Sequence, residues 1–225
     1  MNRLRVQAVI FDNDGVLTDS SAFIIERHQR VARELGLRVP NADELRKHFG
    51  KHWEQDFLPI FWPRDHERMR VAYLVGYDET TYPTFPGLIT YVKTLYDVGI
   101  PLAVVTNRDR GKFFGRFERT GFDPRWFTVI QTADVSAFRK PDPRVFTPIL
   151  KTLGMNADAT VYVGDALDDF RAARDAGMHF IAVTTGALTI EEFLAAGVPE
   201  KYILASPSDL PNILEPMPRN NPHRV

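Results

Sequence analysis

Short apolar runs recur along the chain, and the segments between them carry apolar residues at helical spacing. Continuous apolar runs rich in Val and Ile are typical of strands that are buried on both faces of a parallel sheet. We predict strands over residues 6–11, 101–106, 127–132, 160–164 and 180–185, and a weaker strand over residues 201–206.

The segments between these strands carry the signals of capped helices. Phe113 and Phe117 lie four residues apart in a segment that ends at Gly121, and the segment from Asp142 to Gly154 opens with Asp-Pro and closes with Gly. These residues are typical of helix beginnings and ends. Strands that alternate with helices predict an α/β fold with a doubly wound parallel sheet.

One segment breaks this alternation. Residues 20–85 contain no convincing strand and are rich in aromatic and charged residues, which predicts a helical insertion, and the two prolines of "YPTFPG" (82–87) mark its return to the core. We therefore predict a core formed by 1–19 and 86–214, a helical domain over 20–85, and a Pro- and Asn-rich flexible tail over 215–225.

The composition excludes several kinds of site and partner. The chain has 225 residues, a formal net charge of −1 and no cysteine. The charge gives no sign of a nucleic-acid-binding surface, and the lack of cysteine excludes disulfides, thiolate metal sites and thiol catalysis. The sequence contains neither a signal-peptide pattern nor an apolar run long enough for a membrane helix, so we expect a cytoplasmic protein with no membrane partner.

Polar residues follow the predicted strands at the points where those strands end. Ligands bind beyond the carboxyl ends of the strands in open α/β sheets, so these residues are the candidate site. They are Asp12, Asn13 and Asp14 after the first strand, Thr106 and Asn107 after the second, Asp165, Asp168 and Asp169 after the fourth, and Lys140 before a helix.

The chemistry of this set favours phosphoryl transfer. Without cysteine or a serine–histidine pair, the nucleophile is a carboxylate or a metal-activated water. Oxygen ligands suit Mg²⁺, and a lysine with loop amides suits a phosphoryl group. Taken singly, each feature also has an ordinary structural explanation: Asp-Asn-Asp-Gly is a common turn, and Lys140 alone reads as a solvated lysine. Their order at successive strand ends favours the functional interpretation.

Four segments in this order resemble the haloacid dehalogenase-like hydrolase superfamily, and within it the phosphatases related to phosphoglycolate phosphatase. The segments are "FDNDGVLTDS", "VVTN", "RKPDP" and "VGDALDDFRAARDAG". The resemblance implies a Rossmann-like core with a helical cap inserted after the first segment, in agreement with the insertion over 20–85. It also implies an Mg²⁺-dependent phosphatase that hydrolyses a small phosphorylated metabolite through an aspartyl-phosphate.

The resemblance assigns a role to each matching position. Asp12 would be the nucleophile, and Asp14 would be the general acid and then the base that activates water. Thr106 and the Asn107 amide would hold the transferring phosphoryl oxygens, and Lys140 would neutralise charge.

The metal ligands and the protonation states follow from the same resemblance. Mg²⁺ would be held by Asp12, the Asp14 carbonyl, Asp165 and, directly or through water, Asp169. Asp168 matches no ligand position and is expected only to cap a helix. Because neighbouring like charges separate carboxyl pKa values, we expect Asp14 to be protonated while Asp12 is ionised.

The segment "HFGKHWEQDF" (48–57) matches the place of a cap loop that reads the leaving group. Gly50 and Lys51 would then bind substrate, and the preferred substrate would carry a second negative group or several hydroxyls. A helix-breaking turn with a solvated lysine explains the same residues equally well.

Other functions remain to be weighed. A dehalogenase of the superfamily lacks the second aspartate, so Asp14 argues against that activity. A phosphonate hydrolase needs a lysine from the cap, and Lys47 and Lys51 are available for that role. A phosphomutase shares the cap class and stays open. A phospho-accepting signalling domain would carry no such insertion, and a pure scaffold protein leaves the acidic cluster unexplained. The protein is expected to be a monomer or a homodimer, which the sequence does not decide.

Overall fold

The computed structural model describes residues 3–49, 53–75 and 82–218. Within this part of the chain, the strands form a two-stranded and a six-stranded sheet, and every pairing is parallel. The strands are β1 (Leu4–Val6), β2 (Ala8–Phe11), β3 (Leu102–Val105), β4 (Val129–Gln131), β5 (Thr160–Gly164), β6 (His179–Val183), β7 (Ile203–Leu204) and β8 (Leu214–Pro216). The large sheet has the order β4-β3-β2-β5-β6-β7, and β1 pairs with β8.

Helices cover both faces of the large sheet, and a second group of helices lies in the insertion. The helices of the described residues are α1 (Ser20–Glu34), α2 (Ala42–Arg46), α3 (Leu58–Phe61), α4 (His66–Leu74), α5 (Leu88–Asp97), α6 (Arg110–Phe117), α7 (Thr147–Leu153), α8 (Leu167–Asp175), α9 (Ile190–Ala196) and α10 (Leu210–Ile213). Of these, α5, α6 and α10 pack on one face, whereas α7, α8 and α9 pack on the other.

Strand β2 shows why the apolar runs are continuous. Val9 and Phe11 belong to the hydrophobic cluster on one face of the sheet, whereas Ala8 and Ile10 belong to the cluster on the other. Successive side chains of a strand point to opposite faces, so a strand that is covered on both sides needs apolar residues throughout. The predicted doubly wound, Rossmann-like α/β core is therefore confirmed.

The described part of residues 20–75 contains helices and no strand, as predicted. Helices α1 to α4 and the π-helical turn Trp53–Phe57 enclose a hydrophobic cluster of their own. The His28 ring lies inside it, where Nδ1 is 2.7 Å from the Ile24 carbonyl oxygen and Nε2 accepts a 3.0 Å hydrogen bond from the Trp53 indole. The insertion is thus an all-helical unit with a separate core.

The chain leaves and re-enters the sheet domain at neighbouring points. The Asp19 backbone N–H donates to the Pro83 carbonyl at 2.8 Å. This contact joins the two connections of the insertion just beyond the turn that follows β2.

The structure corrects some predicted boundaries. The weak strand expected over 201–206 is reduced to β7, and Glu215 and Pro216, which were expected to lie in the flexible tail, instead pair with Arg5 and Val6. Residues 219–225 lie outside the described part. Among the described residues, no helix has the length and apolarity to cross a membrane.

Candidate active site

The first polar segment begins at the carboxyl end of β2, between β3 and β5 in the sheet. The Asp12 N–H still donates to the Val163 carbonyl at 2.9 Å, after which the chain turns sharply. Gly15 adopts a φ of 71°, which favours glycine, and its N–H donates to the Thr18 carbonyl at 2.8 Å. This turn keeps Asp12 and Asp14 at the centre of the sheet edge where ligands bind in such folds.

Asp12, Asp165 and Asp169 form an acidic cluster. Each can present an oxygen atom such that these atoms lie within 4.8 Å of one another. Asp12 and Asp169 are buried, and Asp165 is half-buried. The structure thus brings together the side chains that were predicted to hold a metal.

Lys140 joins this acidic cluster from the loop before α7. Its Nζ lies 3.0 Å from Asp12 Oδ1 and 2.7 Å from Asp169 Oδ1, and it also donates to the Tyr162 hydroxyl at 2.9 Å. The Lys140 side chain is only 4% exposed. Lys140 therefore contacts two carboxylates in a buried site.

Two glycines make room for the Asp165 side chain. A Cβ atom on Gly15 or on Gly186 would lie 2.1 Å from Asp165 Oδ2. The Thr185 hydroxyl donates to the Gly15 carbonyl, which ties the loop after β6 to the loop after β2. The position of Asp165 thus depends on residues from two loops that are distant in sequence.

Asp169 supports the loop that precedes α8. Its Oδ2 accepts hydrogen bonds from the backbone N–H groups of Asp165 and Ala166, both at 3.1 Å. Asp168, which was expected to cap this helix, instead lies half-exposed and pairs with Arg171 at 3.2 Å. The capping role therefore belongs to Asp169, because only the third residue of the helix can reach back to these amides.

The charge of the acidic cluster perturbs its members. Burial raises the pKa of Asp12 to about 7. The negative charges of Asp169 and Asp14 add to this rise, and the positive charge of Lys140 opposes it. Burial and the neighbouring carboxylates Asp12 and Asp169 raise the pKa of Asp165 well above its usual range. Burial alone would lower the pKa of Lys140, but Asp12 and Asp169 outweigh it and raise the pKa. An additional cation would offset this surplus of negative charge, and an all-oxygen donor set fits a hard metal ion.

Asp14 has a different environment, which the sequence did not indicate. Arg108 Nη2 donates to Asp14 Oδ1 at 2.7 Å, while Arg108 Nε donates to Asp14 Oδ2. Burial would raise the pKa of Asp14, but the guanidinium outweighs it and the pKa is lowered.

The expected order of the two pKa values is therefore wrong for this state of the protein. Asp12, not Asp14, has the raised pKa. The physical reason is that the two carboxylates do not face each other alone: Asp12 shares Lys140 with Asp169, whereas both oxygens of Asp14 are paired with Arg108.

Of the remaining predicted residues, the structure describes Thr106 and Asn107 but not Gly50 and Lys51. Thr106 is buried after β3, and its hydroxyl accepts a 3.1 Å hydrogen bond from the Arg108 N–H, which leaves the hydroxyl proton available to a ligand. Asn107 next to it is exposed. Gly50 and Lys51 lie outside the described residues, so their predicted binding role stays a prediction.

Sequence reasoning missed Arg108, Tyr162, Thr185 and Gly186. Thr185 and Gly186 stand at the end of a predicted strand, so the same rule that selected Asp12 could have found them. Arg108 also follows a predicted strand end, but the run "NRDRGK" offers two arginines, and the sequence does not say which of them pairs with Asp14.

Comparisons with known proteins agree with this geometry. The family model described as haloacid dehalogenase-like hydrolase matches residues 9–183, which include Asp12, Lys140 and Asp169. The chain belongs to this family. The predicted resemblance is thus confirmed.

Two named relatives and one solved structure align with most of this chain. A phosphoglycolate phosphatase of Agrobacterium fabrum is 30% identical over 79% of this chain and 80% of its own length. A phosphorylated carbohydrates phosphatase of Thermotoga maritima is 26% identical over 93% of this chain and 99% of its own length. A crystal structure of a Thermotoga maritima protein that has been assigned as a β-phosphoglucomutase superposes with a TM-score of 0.74 at 25% identity, covering 92% of this chain and 97% of that one.

Proposed function

We propose that this haloacid dehalogenase-like hydrolase is a phosphatase that hydrolyses a small phosphorylated metabolite through an aspartyl-phosphate on Asp12. The observation that carries the proposal is the buried contact of Lys140 with both Asp12 and Asp169, beside Asp165. A lysine held against a carboxylate at a strand end suits a nucleophile that receives a phosphoryl group. Curated relatives that are named phosphatases support the same activity.

The proposed chemistry uses two carboxylates in turn. A carboxylate oxygen of Asp12 attacks phosphorus while the bond from phosphorus to the alcohol oxygen breaks, and Asp14 gives its proton to that oxygen. Asp14 then takes a proton from water, whose oxygen attacks the phosphorus of the mixed anhydride. Inorganic phosphate leaves, and the Asp12 carboxylate is restored. Lys140 stabilises the negative charge that Asp12 shares with the phosphoryl group.

The acidic cluster would hold Mg²⁺ through the Asp12, Asp165 and Asp169 side chains, with the Asp14 carbonyl as a further ligand. When bound, the ion supplies positive charge that offsets the charge of the phosphoryl oxygens. The buried surplus of carboxylates supports this proposal, since Lys140 alone does not balance them.

Other parts of the proposal concern the surroundings of the site. Thr106 and the Asn107 amide would bind the phosphoryl oxygens. Residues 20–85 would form the cap domain over a core of 1–19 and 86–214, with Gly50 and Lys51 in the substrate-reading loop. A cytoplasmic location suits a phosphatase of small metabolites.

A phosphomutase is the second candidate. The structural similarity to the Thermotoga maritima protein assigned as a β-phosphoglucomutase favours it. The two activities differ in whether water or a sugar hydroxyl takes the phosphoryl group from Asp12, so their products separate them.

Phosphate release from a panel of phosphorylated metabolites, with Mg²⁺ and with EDTA, tests the proposal. Asp12→Asn should lower turnover by several orders of magnitude, as expected for a removed nucleophile. The matched control is Asp168→Asn, which makes the same chemical change at a half-exposed aspartate that pairs only with Arg171 in the described part. Near-normal phosphate release by folded Asp12→Asn protein would refute the mechanism, and conversion of a sugar phosphate without phosphate release would favour the mutase.

A further inference from the structure

Arg108 contacts two residues of the site, Asp14 and Thr106, which lie far apart in the sequence. Its side chain binds Asp14 through two N–H groups, and its backbone N–H donates to the Thr106 hydroxyl at 3.1 Å. The guanidinium also lies 5.5 Å from the centre of the Tyr82 ring. The side chain is 19% exposed, so a ligand at the site can reach it.

The Arg108–Asp14 pair occupies the atoms that the proposed reaction needs. Each carboxylate oxygen of Asp14 receives an N–H from the guanidinium. A carboxyl group that gives a proton to a leaving oxygen must carry that proton on one of these oxygens, where it competes with the guanidinium. An anion on the substrate is a natural alternative partner for Arg108, because guanidinium binds carboxylate and phosphate with matched geometry.

The distances fit an anion close to the scissile bond. Arg108 Nη2 is 2.7 Å from Asp14 Oδ1. A general acid works within about 3 Å of the oxygen it protonates, which places that oxygen roughly 6 Å or less from the guanidinium. A carboxylate one carbon away from the leaving oxygen spans about half of that distance, so a carboxylate that points toward Arg108 comes within hydrogen-bond distance of it.

A small cavity lies next to Arg108. Phe113 and Phe117 line it together with Asn13 and Thr18. The Asn13 side-chain oxygen is buried and has no hydrogen-bond partner among the described residues. A buried acceptor without a partner is costly, so a water molecule is expected beside it.

We infer that Arg108 is a specificity-determining residue, which selects phosphate monoesters whose leaving group carries a second anion, a carboxylate or a phosphate, close to the ester oxygen. As the substrate binds, its second anion pairs with the Arg108 guanidinium in place of Asp14. The inference rests on the proposed phosphatase function and adds the substrate class to it.

The test compares matched substrates and matched variants. 2-Phosphoglycolate and 2-hydroxyethyl phosphate differ in that one carries a carboxylate where the other carries a hydroxymethyl group. Arg108→Met removes the charge and keeps an unbranched side chain, and Arg108→Lys keeps the charge but loses the paired geometry. Arg110→Met is the control, because Arg110 lies exposed two residues away, against the Phe114 ring. Thermal unfolding and turnover of p-nitrophenyl phosphate report whether each variant is folded.

We expect wild-type protein and Arg110→Met to prefer 2-phosphoglycolate in kcat/KM. Arg108→Met should lose roughly tenfold to hundredfold on that substrate, as for one charge-assisted contact, and about threefold or less on 2-hydroxyethyl phosphate. Arg108→Lys should fall between. Equal losses on both substrates, or no preference in wild-type protein that hydrolyses both, would overturn the inference and leave the phosphatase intact. Absence of any phosphate release would overturn both.

Discussion

Gly186→Ala is a sensitive test of the acidic cluster, because it changes no charged or polar side chain. Gly186 does not have a left-handed φ, so alanine fits the backbone. Its Cβ, however, would lie 2.1 Å from Asp165 Oδ2 and 2.7 Å from Asp165 Cγ. A normal carbon–oxygen contact is about 3.3 Å or longer, so the Asp165 carboxylate must move by about 1 Å or more.

This displacement sets the expected loss of Mg²⁺ affinity. Residues that orient a metal ligand typically change metal affinity by about tenfold to a hundredfold, or about 1.4–2.7 kcal/mol. We expect the Mg²⁺ concentration that gives half-maximal phosphate release to rise by this factor. The rise in unfolding temperature that Mg²⁺ produces should shift to higher Mg²⁺ concentration in parallel, which is a readout independent of catalysis.

Gly115→Ala is the matched control. Gly115 lies in α6, and a Cβ there would meet nothing within 4 Å. It should leave the Mg²⁺ dependence unchanged and stabilise the protein by about 0.5–1 kcal/mol, because alanine is the better helix former. A folded Gly186→Ala protein with the wild-type Mg²⁺ dependence in both assays would refute the view that Gly186 makes room for a metal ligand.

Three further outcomes are expected. Asp165→Ala should raise the Mg²⁺ requirement in the same titration far more than Asp168→Ala, and the reverse order would show that the ligand is misassigned. EDTA should abolish phosphate release and Mg²⁺ should restore it, while Ca²⁺ should inhibit because its looser coordination disturbs in-line geometry; chelator-resistant turnover would contradict this. Burial lowers the pKa of His28 from 6.5 to about 4, so the folded state binds fewer protons than the unfolded state between these values. The stability that neutral His28 gives is therefore present above pH 6.5 and falls by up to about 3 kcal/mol as pH drops toward 4. Urea unfolding across this range should show that slope in wild-type protein and a smaller one in His28→Gln; equal slopes would exclude His28 as the cause.

Local patterns in the sequence were enough for the strands of the large sheet and for the helices between them. The run before Asp12 predicted β2 because burial on both faces demands apolar residues at every position, and Gly154 and Gly197 marked helix ends where the structure has left-handed glycines. The rule that ligands bind at strand ends then selected Asp12 and Asp169 without any knowledge of contacts.

Tertiary structure decided which of these side chains meet. Lys140 contacts Asp12 and Asp169, Arg108 pairs with Asp14, and the space for Asp165 depends on Gly186. The pKa order of Asp12 and Asp14 followed from these contacts and not from their closeness in sequence. A hydrophobic pattern reports only whether a position is buried, whereas the partner of a polar side chain depends on strand order and loop paths, which bring residues far apart in sequence within hydrogen-bond distance.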